Sequence, residues 1–359
     1  MAKVIVGLSG GVDSAVAAFL LKDQGFDVSA VFMQNWQVDS RDPYCTAPQD
    51  YQDAKLVAEE LDIPFTTISF ADEYWNKVFQ LFLDEYAAGR TPNPDVLCNK
   101  EIKFKAFLDY AVNRGADYIA TGHYARVKKT SEKYQLLKGV DQNKDQSYFL
   151  YTLRQEQLAK AIFPLGDLTK EEVREIAKKA NLSNYAKKDS TGICFIGERK
   201  FKEFLNEYLL AKPGAIVDTS GNKIGTHDGL MFYTLGQRKG LKIGGMKDAA
   251  EKPWYVVDKD IKQNRLIVSQ DHDDPRVMSK QLIAADACWT AAEPALPYHC
   301  SAKIRYRQKD VECRLVKIEN NHYYVEFNDA QRAITPGQAV VFYNEDICLG
   351  GATIVAKHW

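Results

Sequence analysis

Three short stretches hold residues whose types and spacing could do chemistry. The first is Ser9-Gly10-Gly11-Val12-Asp13-Ser14, preceded by Gly7 and Leu8, which leads from an apolar run straight into a helical pattern. Glycines there let the backbone come close to a phosphate, and the amides at a helix N-terminus, with its positive dipole end, point at the anion. Ser9 and Ser14 add hydroxyl donors. No Gly-Lys-Ser/Thr follows, so this is not a Walker A loop, and the GxGxxG spacing of a dinucleotide fold is missing. The plainer alternative is a tight turn that binds nothing. Two glycines, two serines and an aspartate at this place speak against it.

The second stretch is Asn93-Pro94-Asp95-Val96-Leu97-Cys98-Asn99, read as a loop before a basic helix. Asp95 and Cys98 stand three apart, so one turn would bring carboxylate and thiol together for acid/base and nucleophilic work. Lys100, Lys103 and Lys105 could favour a thiolate or a phosphate. A capped helix start with a buried cysteine fits these residues equally well. The third stretch, Asp189-Ser190-Thr191-Gly192-Ile193-Cys194-Phe195-Ile196-Gly197, sets a single cysteine among loop formers. Chemistry is commoner on such loops than in cores, and a buried Cys194 between Ile193 and Phe195 is again as compatible.

The elements that must position these residues alternate. Lys3–Gly7, Val28–Met33, Phe65–Phe70 and Tyr118–Thr121 read as strands. Helical spacing fits 12–24, 50–61, 73–88 and 103–114. Such alternation predicts an α/β domain with a parallel sheet covered on both faces, its ligands beyond the carboxyl ends of the strands. Thr169 and Glu172 form a capping box before another helix, and 201–210 reads as the last one. Beyond Pro213-Gly214 the segments become short and alternating, an all-β texture. The expected units are an α/β domain at 1–210, a small β-rich domain at 211–278 and a β-barrel at 279–359.

Composition is that of an ordinary globular chain: 359 residues, 45% hydrophobic and 26% charged. No run reaches the ~18 apolar residues of a membrane span, and the N-terminal residues lack a signal core, so the expected location is the cytoplasm. The net charge of −1 hides an asymmetry. Residues 1–100 carry 7 Lys+Arg against 15 Asp+Glu, and residues 101–200 carry 19 against 13. The basic second hundred could hold phosphates. The seven cysteines form no CxxC pair and the histidines show no metal spacing, which argues against zinc or an iron–sulfur cluster. Cys45, Cys288, Cys300, Cys313 and Cys348 read as structural.

SGGVDS resembles the loop of the PP-loop ATP pyrophosphatases, which cleave ATP between the α and β phosphates. Taken with NPDVLCN at 93–99, ATGHYAR at 120–126, NKDQSYFLYTL at 143–153, DSTGICFIGER at 189–199 and LGQRKGL at 235–241, the chain resembles over essentially its full length the bacterial tRNA-specific 2-thiouridylase family (MnmA). The resemblance implies thiolation of the wobble uridine in tRNAs for Lys, Glu and Gln, with ATP, expected Mg2+, and a sulfur-relay protein or cysteine desulfurase as sulfur donor. It implies that Gly7, Leu8, Ser9, Gly10, Gly11, Val12, Asp13 and Ser14 hold ATP, with Met33 and Gly122 lining the nucleotide. Asn93, Pro94 and Asp95 would contact the target base, with Asp95 the acid/base. Cys194 would carry sulfur as a persulfide and Cys98 would be the partner nucleophile, the two closing a transient disulfide. His123, Lys144, Asp145, Gln146, Arg305, Tyr306 and Gln338 would touch tRNA.

Apart from the resemblance, Lys303–Gln308 (KIRYRQ) reads as a basic strand with Tyr306 among arginines, suited to phosphate and base contact or simply to a solvated face. Arg238-Lys239 reads the same way as a turn. Two rivals stand beside the tRNA enzyme. One is a PP-loop ligase adenylating a small molecule, which leaves both cysteines without a task. The other is an ATP-binding RNA module that does not cleave ATP. The stretch 34–48 reads as a long mobile loop.

Overall fold

The computed structural model describes residues 1–36, 46–189, 201–243 and 252–358. Cys194 with Ser190–Gly197, and Cys45 with most of the 34–48 stretch, lie outside the described residues.

Strands β1 (Lys3–Gly7), β2 (Asp27–Gln34), β3 (Phe65–Ser69), β4 (Tyr118–Ala120), β5 (Ala125–Lys129), β6 (Tyr134–Lys138) and β7 (Ala161–Ile162) belong to the first part of the chain. Five of them form a parallel sheet in the order β3-β2-β1-β4-β7. Val4 and Val6 of β1 are fully buried, as a strand covered on both faces demands. Helix α1 (Val12–Asp23) follows β1, and α2 (Ala47–Glu60) precedes β3. The strand order reverses at β1: the chain goes outward to β2 and β3, then returns to β4 on the other side. A crevice opens at such a switch point beyond the carboxyl ends of the strands. Ser9–Gly11 leave β1 there, and Thr121–His123 leave β4.

The second unit is a four-stranded sheet of β8 (Gly214–Val217), β9 (Lys223–His227), β10 (Tyr255–Asp260) and β11 (Arg265–Ser269), in the order β10-β11-β8-β9. The third is a six-stranded antiparallel barrel: β12 (Met278–Trp289), β13 (Tyr298–Lys303), β14 (Val311–Glu319), β15 (His322–Arg332), β16 (Ala339–Asn344) and β17 (Ile347–His358), closed by pairing of β12 with β17. Leu282, Leu315, Val325, Val340 and Phe342 fill its interior.

Three local features differ from the sequence reading. The helix expected at 103–114 begins at Pro94, so Cys98 stands within a helical stretch rather than a loop. It runs Pro94–Leu97, then a π-helical segment Cys98–Ala106, then Phe107–Asn113. Arg305–Arg307 do not lie on a strand, because β13 ends at Lys303 and Arg307 turns the chain with a φ of +65°. The hairpin β5–β6 leaves the first domain and joins the barrel sheet, Leu137 pairing with Ile347 and Leu136 with Cys348.

Candidate nucleotide and thiol site

The glycine loop is held by its own side chains and by its neighbours. Ser14 Oγ accepts from Ser9 N at 3.1 Å and donates to Gly11 O at 3.0 Å. Gly10 has a φ of +78°, and a Cβ there would meet Asp50 O at 2.3 Å, so only glycine fits. Gly11 precedes α1 without a side-chain cap, which leaves the amides of the first turn for a ligand. Asn184 Nδ2 holds Gly10 O at 3.1 Å, and Asn184 Oδ1 is buried with no partner among the described residues. Met33, near the end of β2, reaches Gly7, where an added Cβ would lie 2.9 Å from the Met33 methyl carbon. Gly122, after β4, packs against the backbone of Asp13 and Ser14 so closely that a Cβ would sit at 2.8 Å. Gly7, Met33, Gly122 and the loop thus share one edge of the sheet.

From Gly122 the contacts run on to the cysteine helix. His123 is buried, with Nδ1 2.7 Å from Thr121 Oγ1 and Nε2 3.4 Å from Lys103 Nζ. Lys103 can only donate, so Nε2 accepts and Nδ1–H donates to Thr121. Burial, seconded by the Lys103 charge, keeps the His123 imidazole well below its usual value, hence neutral at pH 7. Lys103 also acts on Asp95. Burial raises the Asp95 carboxyl above the ordinary range and Lys103 opposes that rise. Asn93 caps the helix, Oδ1 accepting from Val96 N at 3.4 Å. Asp95, Cys98 and Asn99 then follow at i, i+3 and i+4 and share a helix face. Cys98 is 4% exposed. Asn99 Nδ2 donates to Phe149 O at 3.1 Å while its Oδ1 is buried with no partner among the described residues. A π-helical turn at Cys98 suits a functional position.

Other expected contact residues divide into buried and accessible groups. Asp145 is buried: Oδ1 accepts from Gly139 N and Ser147 N, and Oδ2 pairs with Lys303 Nζ at 3.1 Å. Gln146 Oε1 accepts from Tyr124 N at 3.0 Å. Lys144 Nζ pairs with Asp189 Oδ2 at 2.5 Å. Burial would lift Asp189, but hydrogen bonds from Lys144 and Lys170 outweigh it and hold the carboxyl at about 2. Tyr306 lays its ring on Phe149, centroids 4.4 Å apart. Arg305 is exposed at the surface and its guanidinium reaches the carbonyls of Arg332 and Ala333. Gln338 Nε2 donates to Thr91 O and Pro92 O, just before Asn93. Asn99, Lys103, Lys170 and Tyr124 complete the site. Sequence reading gave Lys103 only a general charge role and did not single out the other three. Their one legible signal was position: Asn99 at i+4 from Asp95.

A glycine loop at the switch point of a parallel sheet puts the first unit in the PP-loop class of α/β proteins, and a small β domain and a β-barrel follow it. Family models agree along the chain: "tRNA methyl transferase HUP domain" at residues 2–198, "tRNA methyl transferase PRC-barrel domain" at 202–270 and "Aminomethyltransferase beta-barrel domain" at 279–354. Proteins of Francisella tularensis subsp. mediasiatica (strain FSC147) and subsp. novicida (strain U112), both named tRNA-specific 2-thiouridylase MnmA, are each 58% identical over 355 residues. The match covers 98% of this chain and 99% of theirs. The chain belongs to the tRNA-specific 2-thiouridylase family. Among solved structures, NMN synthetase from Francisella tularensis shares 21% identity over 56% of this chain and 71% of its own, at a TM-score of 0.34.

Proposed function

We propose that the protein replaces the C2 oxygen of the wobble uridine in tRNA with sulfur, using ATP. The observation that carries the reading is the helix face of half-buried Asp95 and buried Cys98, linked by Lys103, His123 and Gly122 to the glycine loop. An activating site for a nucleotide and a site for a nucleophile are thereby joined. The 58% identity to proteins named for this activity supports it.

The C2 carbonyl of uracil is an amide-like, unreactive centre. Its oxygen attacks the α-phosphorus of ATP, pyrophosphate leaves, and the oxygen becomes part of a good leaving group, AMP. The loop Gly7–Ser14 holds the phosphates, with Met33 and Gly122 beside the nucleotide. The terminal sulfur of a persulfide on Cys194 then bonds to C2. In one order Cys98 first attacks the Cys194 sulfur, and the terminal sulfur leaves as hydrosulfide and bonds to C2; in the other the persulfide bonds to C2 first and Cys98 then breaks the S–S bond to Cys194. Both routes expel AMP and leave a Cys98–Cys194 disulfide, which an external dithiol reopens. Asp95 moves the proton, and Asn93 and Pro94 bound the base, which must leave the anticodon stack at a cost of a few kcal/mol.

Mg2+ fits the donor set. Among the described residues no group of three His, Cys, Asp or Glu could cage a metal, and Mg2+ commonly takes one carboxylate plus substrate phosphates and water. Asp13 would hold it, and the ion would neutralise the departing pyrophosphate. Lys144, Arg305 and Tyr306 offer charge and a stacking ring to RNA, while His123, Asp145, Gln146 and Gln338 set the surfaces around them. A sulfur-relay protein or desulfurase supplies the persulfide, and tRNAs for Lys, Glu and Gln are the substrates. The units 1–210, 211–278 and 279–359 belong to the same reading.

The test is mass spectrometry of nucleosides from unmodified tRNA for Glu, incubated with protein, Mg-ATP and a sulfide donor. The expected product is 2-thiouridine, dependent on ATP. AMP and pyrophosphate without tRNA would instead indicate a small-molecule ligase. Because the matching family models are described by methyl transfer, the mass change also separates oxygen-to-sulfur exchange from an added methyl group.

A further inference from the structure

The glycine loop has no lysine of its own. Its cation arrives from the far end of the α/β unit. Lys170 opens the helix Lys170–Lys179 and is 9% exposed. Its Nζ lies 2.7 Å from Asp13 Oδ1 and 2.7 Å from Asp189 Oδ1. The root of the side chain is fixed: Thr169 N donates to Glu172 Oε2 at 2.7 Å, Glu172 N donates to Thr169 Oγ1 at 3.3 Å, and Lys170 N donates to Asp141 Oδ2 at 3.0 Å. Tyr124 OH gives Asp13 Oδ1 a second donor at 2.8 Å. Asp189 is braced through Oδ2 by Lys144 and through Oδ1, beside Lys170, by Arg174 at 3.0 Å.

A buried ion pair such as this one is weak evidence for a stabilising role, because apolar groups of like volume often replace one without loss. Its location gives it a use. A bare carboxylate in the first turn of α1 would repel a triphosphate, and a rotating one would present no fixed oxygen to a metal. An ammonium on Asp13 Oδ1 removes both problems. Asp189 keeps that ammonium from swinging away.

We infer that Lys170 is a positioning residue of the nucleotide site, fixing Asp13 at the mouth of the glycine loop while Asp189 fixes Lys170. The inference rests on the ATP reading of the loop.

Calorimetry of Mg-ATP binding to the full chain tests it. Lys170→Met should weaken Mg-ATP by about tenfold or more, and Lys170→Arg should return affinity to within about threefold of wild type. Affinity for tRNA should not change in either variant, which a general loss of structure would not allow. Asp189→Asn should weaken Mg-ATP by about threefold, and the double variant no further than Lys170→Met, since the two act in one unit. Wild-type affinity in Lys170→Met overturns the inference, as do losses that multiply in the double variant. If Lys170→Met does not fold, unchanged affinity in Asp189→Asn overturns it. Wild-type protein that fails to bind Mg-ATP overturns the nucleotide reading and, with it, this inference.

Discussion

Gln338, at the mouth of the barrel, donates through one amide nitrogen to Thr91 O at 2.9 Å and Pro92 O at 3.2 Å. Thr91 N returns a hydrogen bond to Pro336 O at 3.0 Å. The third unit therefore holds the chain immediately before Asn93–Asp95. Gln338→Leu should leave two carbonyls poorly satisfied and cost about 1–3 kcal/mol locally. Turnover should fall more than tRNA affinity. Equal losses in both, measured by single-turnover thiolation and filter binding, would place Gln338 on the RNA instead.

The raised Asp95 carboxyl has a consequence for stability. The native state binds its proton more tightly than the unfolded chain. Between the ordinary carboxyl value and the raised one, this group therefore makes stability fall as pH rises. Asp95→Asn should remove that slope, leave the protein at least as stable at pH 7, and abolish thiolation. Urea unfolding across pH 4–8 measures it.

Lys103 opposes the rise of Asp95 and is one cause of the depressed His123. Lys103→Met should move the acidic limb of the pH–rate profile to higher pH, because Asp95 then keeps its proton longer. His123 should become easier to protonate in the same variant. In wild type the depressed imidazole makes stability drop as pH falls below its usual value, and NMR titration should find His123 uncharged from pH 6 to 8.

Gly10→Ala forces a side chain into a positive-φ position, at about 1–2 kcal/mol, and onto Asp50 O. Gly122→Ala pushes against the backbone of Asp13 and Ser14. Both should lose Mg-ATP binding, with Gly122→Ala keeping tRNA affinity. Retained nucleotide affinity in Gly10→Ala would remove the loop from the mechanism.

Cys98→Ser and Cys194→Ser should each stop multiple turnover in the presence of a persulfide donor while sparing tRNA binding. Full thiolation by Cys194→Ser would end the persulfide assignment, and sustained turnover by Cys98→Ser would end the two-cysteine cycle.

The parallel sheet was legible because β1, β2 and β4 are short apolar runs between helical periods, and the glycine loop because its residues fit few other uses. The helix at Pro94 was not, since two prolines and a capping asparagine read as loop; Pro94 in fact occupies the first helical turn, where its missing N–H costs nothing. The π-helical turn leaves no mark in composition. Lys170 was hidden for another reason: its partners Asp13 and Asp189 are distant in sequence, and only the fold brings them to one ammonium. Hairpin β5–β6 was not legible because its residues are mostly polar and charged, and of them only Ala125 and Leu136 are fully buried, Leu136 by a partner at the other end of the chain.

That hairpin also sets a timetable for biosynthesis. Lys138, on β6, hydrogen-bonds to the carbonyl of Glu345, 207 residues downstream. At about 5–20 residues per second, the ribosome delivers the partner strand some ten to forty seconds after the hairpin. During that interval β6 presents an unpaired edge, the kind of surface that recruits wrong partners. Lysines at 128, 129, 133 and 138 line the hairpin and act as charged gatekeepers for the wait. A nascent chain stalled before the last strand should consequently stay soluble yet remain unfinished in its first domain, and truncation of the C-terminal strand should be felt where the chain began.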